Sequence, residues 1–226
     1  MTMFDIVLFA VFPYVAVIIA VVVGLYRYFN DRFTYSSLSS QFLENRILFF
    51  GTVPWHYGVI IILSAHLFAF LVPVLWGDLI ADQTRLYIME LTGLSLALMS
   101  IVGITILIAR RFRNVRAKAV MSFMDWVLLF ALLTQVILGF WTALVYRWGS
   151  DWYLHTAVPW LYSLLLLNPE IQHVTALPWE VKFHMLGGFL LVLLFPFTRL
   201  VHIVTYPLTY LWRPIQVVIW NRRVAK

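Results

Sequence analysis

The chain has 226 residues, 63% of them hydrophobic and only 12% charged, with a mean hydropathy of +0.90. A soluble domain carries about twice that charged fraction, so a soluble enzyme is excluded and an all-α polytopic membrane protein is expected, as one domain over residues 1–226. The formal charge of +6 sits in a few loops and the C-terminal tail, a topology signal that does not indicate nucleic acid, and the absence of cysteine excludes disulfides, Cys-ligated iron–sulfur clusters and c-type haem attachment.

A spanning helix needs about 20 mostly apolar residues, and five segments qualify. The first, Phe4–Tyr28, lacks a basic leader and a small-residue cleavage site, so it is read as a retained span. A connection with Arg27, Arg32 and Arg46 leads to the second span, Val53–Leu75, which contains His56 and His66. The third span, Leu86–Ala109, follows Arg85 and carries Tyr87 and Glu90 in its first turns. Arg110, Arg111, Arg113, Arg116 and Lys118 precede the fourth span, Asp125–Tyr146. The long connection Arg147–Glu180 holds His155, His173 and the apolar stretch Ala157–Leu167, which is too short to cross and reads as an interfacial or re-entrant helix. The fifth span, Val181–Tyr206, contains His184, Arg199 and His202, and the tail adds Arg213, Arg222, Arg223 and Lys226. Basic residues concentrate on cytoplasmic loops, so the N-terminus is expected outside and the C-terminus in the cytoplasm.

An ionisable residue inside a span is costly and marks a functional site by default. Spans two and five run in opposite directions, so His56 shares a depth with His202, and His66 with His184. Two imidazole pairs at two depths can ligate two haem b groups, one near each membrane face, where a lone span histidine would instead make an interhelical hydrogen bond. Eighteen residues are five helical turns, which would put His184 and His202 on one face, whereas His56 and His66 stand roughly 80° apart. The rise of roughly 15 Å between one pair of positions and roughly 27 Å between the other requires tilt. Gly58, Gly187 and Gly188 could admit a flat macrocycle or could tighten helix packing. Arg199 could pair with a haem propionate or snorkel at the boundary. Toward the outer face, Arg85 could hold a quinol oxygen and Glu90 accept its proton, or the two could mark the interface and pair internally.

The run from Leu194 to His202, Leu-Phe-Pro-Phe-Thr-Arg-Leu-Val-His, resembles the last span of the gamma subunit of respiratory nitrate reductase. Phe183-His-Met-Leu-Gly187, Phe12-Pro-Tyr14, Arg27-Tyr28, Ser39-Ser-Gln41, His56-Tyr-Gly58 and Ala65-His66 extend the resemblance over most of the chain. It implies a di-haem b quinol oxidase subunit of the cytoplasmic membrane. His56 and His202 would hold the proximal haem, beside cytoplasmic iron–sulfur and molybdenum catalytic subunits. His66 and His184 would hold the distal haem, beside the quinol site. Electrons from quinol would pass through the distal and then the proximal haem, and the nitrate chemistry would belong to a partner. Where the family usually offers a lysine before span three, this chain has Arg85, and the outer loop holds its own Asn168-Pro-Glu170 and His173. Two rival classes stay open on the residues alone: the cytochrome b subunit of a formate dehydrogenase or hydrogenase, and a transporter or passive anchor.

Overall fold

A computed structural model describes residues 2–31 and 46–205. In chain order the helices are α1 (Met3–Asn30), α2 (Arg46–Leu71), α3 (Pro73–Ile80), α4 (Gln83–Arg113), α5 (Val115–Ala119), α6 (Phe123–Val145), α7 (Gly149–His155), α8 (Ala157–Leu165), α9 (Gln172–Thr175), α10 (Trp179–Leu194) and α11 (His202–Thr205). Five are long and apolar enough to cross a membrane: α1, α2, α4, α6, and α10 with the turn that follows it. Arg32, the Ser39–Gln41 motif, Tyr206 and the four basic tail residues lie outside the described residues.

The spans pack closely in the order two, three, four, five, one. Spans two and three are antiparallel and approach through small residues: a Cβ on Gly103 would lie 2.5 Å from Trp55 N, and one on Gly51 would lie 2.7 Å from Leu107 Cδ2. Small residues at such a crossing let backbones come close, which drives helix association where lipid removes the hydrophobic incentive. Span four is antiparallel to span five, with Asp125 against Arg199 at one end and Tyr146 against Glu180 at the other. Span one runs parallel to span five, with Phe4 on Trp179 at its start and Arg27 donating to the Pro196 carbonyl near its end. The end with Arg27, Arg111 and Arg199 is the basic end of the bundle.

Proline shapes two of the spans. Pro13 has no N–H, so the Phe9 carbonyl loses its helical donor. The helix answers with a π-type turn over Val7–Val11, and the Trp160 indole donates to Phe9 O at 2.9 Å. Trp160 sits in α8, buried in a cluster with Phe9, Leu164, Ile171 and Val174. The apolar stretch expected to be an interfacial or re-entrant helix is a nine-residue helix, α8, packed on span one by its buried face. Tyr162 of the same helix donates to Phe70 O at 2.7 Å, satisfying a carbonyl at the C-terminal end of span two. Lys182 is also buried here; its ammonium donates to Thr175 O at 2.6 Å and lies 4.6 Å from the Trp179 ring centroid.

Span five departs from the continuous helix expected over Val181–Tyr206. The α-helix stops at Leu194, and 3₁₀ turns at Phe195–Phe197 and Arg199–Val201 flank an extended Thr198. Pro196 cannot donate to the turn before it, which breaks the ladder. Counting eighteen residues as five turns therefore does not apply, and the bend re-aims His202 relative to His184. The helix of span two likewise ends at Leu71, earlier than expected, because Val72 leaves the helical region ahead of Pro73.

Candidate functional site

His56 and His66 project from span two and His184 and His202 from span five, with the His184 ring also packed against span four. At the basic end the rings of His56 and His202 stand with centroids 6.2 Å apart at an interplanar angle of 74°. Toward the opposite end His66 lies within electrostatic reach of His184.

All four rings share one hydrogen-bond pattern. His56 Nδ1 meets Thr52 O at 2.9 Å, His66 Nδ1 meets Ile62 O at 2.9 Å, His202 Nδ1 meets Arg199 O at 2.6 Å, and His184 Nδ1 meets Gln135 O at 3.1 Å. A carbonyl only accepts, so each Nδ1 carries the proton and each Nε2 keeps its lone pair. That is the tautomer of a metal-binding histidine whose orientation is set from behind. The histidines of the long connection do the opposite: His155 and His173 turn Nε2 toward Asp151 and Glu170, at 3.8 and 3.1 Å. Among the described residues no group of three or more His, Asp or Glu side chains could hold a metal ion.

Neighbouring residues divide into several tasks. Arg199 binds Asp125 in a two-pronged pair, Nε to Oδ1 at 2.7 Å and an Nη to Oδ2 at 2.9 Å, and also donates to Val120 O. Asp125 is nearly buried and at the same time closes the capping box at the start of span four, with Ser122. The pair ties that helix start to the turn preceding His202. Gly58 faces span three, where a Cβ would strike Ser100 Oγ and approach Leu96 O at 2.8 Å, so its small size serves helix packing. Gly187 likewise receives the Gln135 carboxamide from span four.

Glu90 is half-buried, and its Oε1 accepts Ser150 N–H at 3.0 Å, capping α7 from a distance. Arg85 is exposed at the start of span three, donating to Asp78 O at 3.3 Å with Asp82 4.0 Å away. The helix that Glu90 caps carries Tyr153, whose ring meets His66 edge-on at 5.4 Å and whose hydroxyl donates to His66 O at 3.4 Å. Burial pushes the Tyr153 hydroxyl up to about 12, so it remains a donor at neutral pH.

Sequence reasoning missed Gln135, Gly139, Asp125 and Tyr153. Gln135 and Gly139 are one helical turn apart in span four, and a polar residue in a span is a signal in itself. Which histidine they serve depends on how spans four and five pack.

The described residues form a bundle with five helices long and apolar enough to cross a membrane, and it brings His56 beside His202 and His66 near His184. The family model for the nitrate reductase gamma subunit matches residues 5–221, and the chain belongs to that family. It is 29% identical over 211 residues to the nitrate reductase gamma chain of Bacillus subtilis, covering 92% of this chain and 94% of that one. It is 26% identical over 215 residues to the respiratory nitrate reductase 1 gamma chain of Escherichia coli, covering 93% and 95%. A 28% identity over 212 residues to a nitrate reductase-like protein of Mycobacterium tuberculosis, NarX, covers 90% of this chain but 32% of that longer protein. The chain is therefore an oxidoreductase subunit of the nitrate reductase kind, and the nitrate reductase reading of the span-five run stands.

Proposed function

We propose that this chain is the di-haem b, quinol-oxidising subunit of a nitrate reductase in the cytoplasmic membrane, with its N-terminus outside and its C-terminus in the cytoplasm. The observation that carries the reading is the shared pattern of the four histidines, each Nδ1–H committed to a backbone carbonyl and each Nε2 left as a ligand. The spacing of His56 and His202 fits as well: two imidazoles sharing one metal at about 2.0–2.1 Å per nitrogen have ring centroids roughly 6 Å apart. His56 and His202 would hold the proximal haem and His66 and His184 the distal one. Two haem b groups so held would supply one-electron carriers in series between a quinol and the partner subunits.

The chain's own residues set the frame for that chemistry. Thr52, Ile62, Arg199 and Gln135 fix ring orientation and tautomer through their carbonyls. The Asp125–Arg199 pair anchors the turn from which His202 projects, and contact with a haem propionate would be a second task of the same Arg199 side chain. Arg85 and Glu90 are proposed at the quinol site, Arg85 as an oxygen-holding donor and Glu90 as proton acceptor. Glu90→Gln would then slow quinol-driven haem reduction with both haems retained. The basic end would face iron–sulfur and molybdenum-bearing partners in the cytoplasm, with lipid around the spans.

The test is haem counting and optical redox titration of the purified complex carrying single histidine substitutions. The wild type should hold two haems per chain. His56→Ala and His202→Ala should delete one spectral component, and His66→Ala and His184→Ala the other. A chain that purifies without haem, or loss of the same component in His56→Ala and His184→Ala only, would refute the assignment.

A further inference from the structure

Three of the four span histidines take their backing hydrogen bond from their own stretch of chain: His56 from Thr52, His66 from Ile62 and His202 from Arg199. His184 is different. Its Nδ1–H crosses to the next helix and donates to the main-chain carbonyl of Gln135, at 3.1 Å. The Gln135 side chain returns the contact, its Nε2 donating to His184 O at 2.9 Å. The two residues thus hold each other through two bonds of opposite direction between spans four and five.

Glycines on both helices make this approach possible. The His184 ring presses on Gly139, one turn after Gln135; a Cβ there would lie 2.8 Å from the ring Cε1 and 3.3 Å from Nε2. On the facing helix, a Cβ at Gly187 would collide with Gln135 Oε1. That oxygen is buried with no hydrogen-bond partner among the described residues, so the carboxamide is held by its Nε2 bond and by the shape of the glycine notch. A side chain at Gly139 would strike the His184 ring, and one at Gly187 would displace the Gln135 carboxamide from its notch.

We propose that Gln135 and Gly139 are positioning residues for His184, so that the docking of span four against span five sets the properties of the distal haem and leaves the proximal haem alone. The inference rests on the di-haem reading. A hydrogen bond from the far ring nitrogen makes an imidazole a stronger donor to a metal, and a stronger donor favours ferric over ferrous iron. Loosening the clamp weakens that bond and raises the potential of the distal haem. The rings of His56 and His202 are backed from their own segments and are not touched by it.

The experiment uses the full complex with Gln135→Met, which keeps the length and loses the donor, and Gly139→Ala, which adds the colliding carbon. Haem content, optical redox titration and the low-spin ferric EPR signals are read for each. In Gln135→Met both haems should remain, and the component that His184→Ala deletes should titrate at higher potential. A tenfold change in the ferric-to-ferrous preference is about 59 mV for a one-electron couple. Its EPR g-values should move, because the main-chain bond that orients the ring loses the side-chain bond that supports it. Gly139→Ala should shift the same component further or lose it. Wild-type potentials and g-values in both variants would overturn the inference while leaving the di-haem reading intact, and so would equal shifts of both components, which mark general loosening. Absence of a His184-dependent haem component from the wild-type complex would overturn the reading and the inference together.

Discussion

Gly103→Ala is a severe test of how the bundle holds its histidines, although it adds a single carbon. At this crossing the new Cβ would lie 2.5 Å from Trp55 N and 2.9 Å from both Trp55 Cα and Gly51 O. All three are main-chain atoms, so no rotamer change can relieve the contact. Moving from 2.5 Å to the 3.4 Å at which ordinary van der Waals contact begins requires spans two and three to part by about 0.9 Å. Overpacking of this kind costs about 1–3 kcal/mol. The displaced residue is Trp55, next to His56, and a site of this kind tolerates errors of only about 0.5 Å before its geometry is lost. The expected outcome is lower thermal stability of the purified complex and selective loss or shift of the haem component that depends on His56, with the His184 component kept. Gly93→Ala, in the same span, is the control, since nothing lies within 4 Å of its added Cβ. Equal stability and equal spectra for Gly103→Ala and Gly93→Ala would refute the argument that the span two–three contact positions His56.

Three further outcomes follow from the same packing. Asp125→Asn and Arg199→Gln should each destabilise the end of span five by about 1–3 kcal/mol and weaken the His202-dependent component; in a double-mutant cycle the two effects should fall short of additive, and full additivity would show that the pair is not coupled. Trp160→Phe leaves the Phe9 carbonyl without a donor and should cost about 1–3 kcal/mol, whereas in a Pro13→Ala background, where a backbone N–H is restored, the same substitution should cost clearly less in a thermal melt. A C-terminal reporter active only outside the cytoplasm should stay silent, given the excess of Arg and Lys after spans one and three, and a strong signal would invert the proposed orientation.

Much of the architecture was legible in the sequence because it depends on properties local to each segment. Apolar length alone marks five spans, although the helix of span two begins seven residues before the expected Val53 and ends four before Leu75, ahead of Pro73, and the α-helix of span five stops at Leu194, twelve residues short of the expected limit. The family was legible in the span-five run and the histidine spacings. Chain direction in antiparallel helices was enough to put His56 and His202 at one end. What packing decided was of another kind. Gly58 could have faced a macrocycle or a helix, and the structure gives it Ser100 as a neighbour. Arg199 and Glu90 could have faced cofactor, substrate or protein, and their contacts are Asp125 and the start of α7. Gln135 and Gly139 had no visible connection to His184, 45 or more residues away in sequence, until the two helices met. Hydropathy and helical period are summed along the chain, so they can be read from it. The partner of a charged group, and the reason a glycine must stay small, depend on which helix lies opposite and at what height, and that is set only when the spans pack.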